Sequence, residues 1–85
     1  MKAKINLTVL VFFLALGCAS EISIIEADVP QAVLAAFQAK YNGATEVEWE
    51  VEKEEGRLIY EAEFRQNGAR KEAEFKPDGT FLREE

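Results

Sequence analysis

Glu46-Val47-Glu48-Trp49-Glu50-Val51-Glu52 alternates without a break between carboxylates and apolar side chains. Successive side chains on a strand point to opposite faces. Val47, Trp49 and Val51 therefore share one face and the four glutamates the other, which is the pattern of a half-buried strand with one wet side. Downstream, Lys53-Glu54-Glu55-Gly56 reads as a four-residue turn, and Leu58, Tyr60, Ala62 and Phe64 continue the apolar face on a second strand. Asn67-Gly68 is the strongest short hairpin signal, and Ala73 and Phe75 carry the apolar face onto a third strand. Pro77-Asp78-Gly79 is another tight turn, leaving Thr80 to Glu84 as a short last strand with Phe81 inward.

Upstream of the alternating stretch the period changes from two to helical. Asp28-Val29-Pro30 opens a helix, since proline is favoured where its missing N–H is no loss. Val33, Phe37 and Tyr41 recur every four residues with Leu34 beside them, making one apolar stripe. Ala32, Ala35, Ala36 and Ala39 are strong helix formers, and Asn42-Gly43 ends the helix with a left-handed cap. The aromatic stripe is expected to be core. The predicted class is α+β: one N-terminal helix packed on a four-stranded antiparallel meander, because neither the stripe nor the aromatic sheet face can be left wet.

The first eighteen residues read differently. Met1-Lys2-Ala3-Lys4 is a short basic start, Ile5 to Leu16 an apolar run broken only by Asn6 and Thr8, and Gly17-Cys18 follows. Basic, apolar, then small is the order of a secretory signal, and the run is too short to span a bilayer, which needs about 20 residues. Its end resembles a bacterial lipoprotein box, which implies that the Cys18 thiol is diacylated and the peptide is cut before it. Ordinary cleavage nearby, for instance after Ala19, is the alternative. The expected organisation is a signal peptide over 1–17, a tether over 18–28 and one domain over 29–85. The location this implies is the periplasm or outer membrane of a Gram-negative bacterium, lipid-anchored, or otherwise secretion.

Removing residues 1–17 leaves 68 of 85, a length that buries a limited core. Cys18 is the only cysteine, so no disulfide supports that core and the aromatics must. The chain has a net charge of −6. Lys2 and Lys4 fall in the signal, so the remainder carries −8. That excludes nucleic acid, whose phosphates need a basic surface, and attraction to anionic membranes by overall charge. With no histidine in the chain, Cys18 has no imidazole partner for nucleophilic chemistry.

The pieces Val29-Pro30, Phe37, Tyr41-Asn42-Gly43-Ala44, Val47-Glu48-Trp49-Glu50, Tyr60-Glu61-Ala62-Glu63-Phe64, Gly68 and Glu74-Phe75-Lys76-Pro77-Asp78-Gly79 together resemble the PepSY-like family, also described as β-lactamase-inhibitor-like. The resemblance covers about Val29 to Glu84. It implies a secreted bacterial protein with a helix on a four-stranded sheet and a binding or inhibitory role without catalysis. Members often have Pro where this chain has Asn42, and often carry two units in tandem whose sheets form a concave surface. This chain has one unit.

Pairing the hairpins places two carboxylate rows across the wet face. With Asn67-Gly68 central, Glu63 faces Glu72 and Glu61 faces Glu74. With a four-residue turn at Lys53 to Gly56, Glu52 faces Arg57, Glu48 faces Glu61 and Glu46 faces Glu63. The expected rows are Glu46, Glu63, Glu72 and Glu48, Glu61, Glu74. Each like-charge pair costs roughly 0.8 kcal/mol at 5 Å in water, so the face is tolerable as solvated surface. Its functional reading is a binding face for something positive: an envelope protein or a basic peptide. A flat sheet of glutamates is a poor calcium cage, so no metal, cofactor or catalytic residue is expected. A second expectation is a small structural lipoprotein working as a homodimer or within an envelope assembly.

Overall fold

A computed structural model describes residues 21–85; the expected signal peptide and Cys18 lie outside them. Strand β1 spans Ile22–Ile24, a 3-10 turn Glu26–Asp28, helix α1 Gln31–Lys40, and strands β2 to β5 span Thr45–Glu54, Arg57–Gln66, Ala69–Phe75 and Phe81–Glu84. All strands join one antiparallel sheet in chain order.

The expected four-stranded meander is corrected to five strands. The added strand comes from the stretch read as tether: Ile22, Ser23 and Ile24 pair with Val51, Glu50 and Trp49. Its physical reason is the open edge of β2, whose N–H and C=O groups would otherwise face water or another chain. Ile24 packs against the core from this strand.

Helix α1 lies on the dry face. The Pro30 carbonyl accepts from the Val33 and Leu34 N–H groups, and Gly43 supplies the left-handed residue (φ +87°) after the helix. Phe37 is the hub of the core. Its ring centroid lies 5.0 Å from Phe64, 5.3 Å from Trp49, 5.5 Å from Tyr41 and 6.4 Å from Phe75. Three of these contacts are edge-on, the geometry that aromatic quadrupoles favour. Ala62 and Ala73, paired across β3 and β4, are wholly buried. Both belong to the same buried cluster as Phe37. At the far end of the helix, Tyr41 donates a 2.6 Å hydrogen bond to Glu84 Oε1, tying α1 to β5; burial pushes the phenol well above its ordinary pKa.

Ten helical residues reach about 15 Å, whereas the ten residues each of β2 and β3 reach about 33 Å. One end of the dry face is therefore left uncovered. Phe81, expected inward, stacks edge-on against Phe75 at 5.7 Å yet is 38% exposed, with Lys40 Nζ 4.4 Å above its ring.

Candidate functional site

The carboxylate face takes its register from two hairpins. At Asn67-Gly68 both residues have positive φ, +53° and +82°, the signature of a two-residue type I′ turn. Gln66 thus faces Ala69, Glu63 faces Glu72 and Glu61 faces Glu74, as the sequence indicated. The turn between β2 and β3 differs. It is also a two-residue turn, Glu55-Gly56 with φ +52° and +79°, and Glu54 pairs with Arg57. The expected four-residue loop is thereby corrected, and β2 slides by two residues against β3. Glu48 faces Glu63 rather than Glu61, Glu50 faces Glu61, and Glu52 faces Ile59 rather than Arg57.

Glu46 leaves the rows altogether. The ladder is irregular between Thr45 and Glu48, and Glu46 takes a left-handed φ of +52° in that bulge. Its carboxylate reaches Arg65 Nε at 3.7 Å instead of facing Glu63.

Two rows result. One runs Ser23, Glu50, Glu61, Glu74, Arg83, and the other Glu48, Glu63, Glu72, with Glu85 exchanging backbone hydrogen bonds of 2.9 and 2.7 Å with Glu72. Glu21 and Glu52 close the same surface, which forms a shallow depression of about 300 Å³. Glu21, Glu50 and Glu52 were not among the predicted binding residues. The alternation that placed Glu50 and Glu52 on this face was legible; their closeness to Glu61 depended on the register.

These carboxylates are crowded and short of cations. Glu61 is 4% exposed and Glu74 is 7% exposed. Arg70 donates to Glu63 at 2.9 Å, and Arg83 pairs with Glu74. Among the described residues, Glu48, Glu50, Glu61 and Glu72 have no salt bridge, and the buried Glu50 Oε1 has no hydrogen-bond partner. Burial pushes the Glu61 carboxyl up to about 10, with Glu72 and Glu21 adding to the shift. Burial likewise raises Glu63 and Glu74 against the opposing pull of Arg70 and Arg83. Glu21 is raised to about 7, first by burial. At neutral pH a proton shared around Glu61 relieves the like-charge contact.

Two trios, Glu21-Glu52-Glu61 and Glu50-Glu61-Glu63, each bring one oxygen per residue within 4.8 Å of the others. Those are the residues that could gather around a cation. The chemistry available to the face as a whole is the capture of positive charge.

Over residues 22–81 the chain matches the family described as PepSY, peptidase propeptide and YPEB domain. No curated protein and no solved structure matches it.

Proposed function

The chain belongs to the PepSY family, and from that premise we propose that it is an exported, non-catalytic binding or inhibitory module whose carboxylate face receives a basic segment of another envelope protein. Family membership supports a propeptide-like or inhibitor-like binding role. The observation that carries the choice of face is the crowding around Glu61: a buried carboxyl beside Glu50 and Glu72, with no cation of its own among the described residues. Arginine or lysine side chains from a partner supply the missing charge, and charge-assisted hydrogen bonds to carboxylates are among the stronger ones. Glu48, Glu63, Glu72 and Glu74 border the same surface; Glu46, bonded to Arg65 in the bulge, contributes at its margin.

In this reading Cys18 carries a lipid and holds the module at the membrane, in keeping with the basic, apolar and small segments that precede it.

A cross-linking capture from the envelope tests the reading. The full chain is compared with a version carrying Glu48→Gln, Glu50→Gln, Glu61→Gln and Glu72→Gln. Capture of a partner through a Lys/Arg-rich segment, weakened by salt and lost with the glutamine version, is the expected result. A partner held equally by both versions overturns the assignment of this face.

A further inference from the structure

We propose that the end of the sheet carrying the β2–β3 and β4–β5 turns docks on the phospholipid surface, so that the strands stand upright and the carboxylate face looks sideways; this rests on the reading of Cys18 as the lipid anchor. The fifth strand makes the geometry tight. With Ile22 already paired to Val51, only residues 19–21 separate Cys18 from the sheet. Four residue steps span at most about 14 Å even when fully extended. Because β1 runs antiparallel to β2, the chain upstream of Ile22 leaves toward Glu54 and the Glu55-Gly56 turn. The Pro77-Asp78-Gly79 turn lies at the same end, since Phe75 pairs with Tyr60 and the chain then continues past Leu58.

That end is unlike the rest of the surface. It holds three of the four exposed large apolar side chains, Ile22 at 63%, Leu58 at 44% and Phe81. Between its turns lies a groove of about 350 Å³ lined by Leu58, Ile59, Pro77 and Leu82, with Arg57, Lys76 and the Glu74-paired Arg83 on it and Glu54 and Glu55 at its β2–β3 rim. Neither Arg57 nor Lys76 forms a salt bridge among the described residues. At the opposite end the cations are engaged: Arg65 with Glu46 and the Gly68 carbonyl, Arg70 with Glu63, Lys71 with Gln66. The groove carries three cations to two carboxylates. Apolar side chains beside Arg57 and Lys76 suit a headgroup region, where the former enter the acyl boundary and the latter meet phosphate while Glu54 and Glu55 stay at the wet rim. The acidic face, which an anionic surface repels, stays turned toward the aqueous side.

The test uses the full chain purified from membranes and placed in phosphatidylethanolamine–phosphatidylglycerol vesicles. An environment-sensitive fluorophore is attached at Leu58→Cys or, at the far turn, at Asn67→Cys; an acylated Cys18 has no free thiol to compete. Intact mass reports the lipid independently. The expected result is a blue shift at position 58, with quenching by spin-labelled phospholipid, and neither at position 67. Adding Arg57→Glu and Lys76→Glu weakens the quenching at 58. An acylated chain whose two labels respond alike overturns the docking while leaving the anchor in place. A mass without lipid overturns the anchor, and the docking with it.

Discussion

The two faces of one sheet are built by the same alternation and held by opposite physics. On the dry face, Phe37 meets four other aromatic rings in one buried cluster with Ala62 and Ala73, and the burial of that apolar surface favours folding. On the wet face, Glu50, Glu61 and Glu74 stand in one row and Glu48, Glu63 and Glu72 in the next, where directly opposed like charges oppose folding. Two arginines from neighbouring strands offset part of that cost.

The comparison breaks most sharply at Phe37. Phe37→Ala empties the centre of the aromatic cluster and is expected to cost about 3–5 kcal/mol, most of what a domain this small has; loss of a cooperative thermal transition in circular dichroism checks it. Gly79→Ala comes next. Gly79 has φ +94°, and an added Cβ would lie 2.7 Å from the Ala32 carbonyl oxygen. The β4–β5 turn must then move off the helix, at a cost of about 1–3 kcal/mol, read as a lower denaturant midpoint. On the other face the sign reverses. Glu61→Gln puts a side chain that is always neutral between Glu50 and Glu74, so that folding no longer requires proton uptake there; it is expected to raise stability by about 1 kcal/mol, seen as a higher midpoint at pH 8.

The pH dependence sharpens the same contrast. The folded-state pKa values of Glu61, Glu63, Glu74 and Glu21 are raised above their unfolded ones. Their contribution is therefore fully present below about pH 4.5, the ordinary carboxylate value, and is lost as pH rises through the folded-state values, about 7 for Glu21 and about 10 for Glu61. The melting temperature should fall between pH 5 and pH 9, and Glu61→Gln should flatten the slope. A melting temperature that stays level over this window would show the rows to be solvated and unstrained.

What the sequence disclosed followed from how local each signal is. The Trp49 strand, the helix stripe and the Asn67-Gly68 hairpin are readable because period and turn chemistry lie within a few residues. The β2–β3 turn was not, because Glu55 occupies a left-handed position with none of the usual Asn or Asp signal. The resulting slip of two residues kept every side chain on its face, since the strand period is two. It changed which carboxylates meet. The bulge at Glu46 carries no local signal either, and the hydrogen bond from Tyr41 to Glu84 depends on the whole topology. Strand β1 is only three residues long, too short for its alternation to stand out, and is fixed by the free edge of β2. Ile59, buried on the carboxylate face opposite Glu52, interrupts the polar pattern of that face.

The most direct measurement takes two readings from one protein, the chain with Glu48, Glu50, Glu61 and Glu72 changed to Gln. These four have no salt bridge among the described residues, so their neutralisation removes repulsion without orphaning Arg70 or Arg83. The account predicts a variant that melts higher than the native chain and no longer cross-links to a basic partner segment in the envelope. A variant that melts higher and keeps the same partner would contradict it, leaving the carboxylate rows without a part in binding.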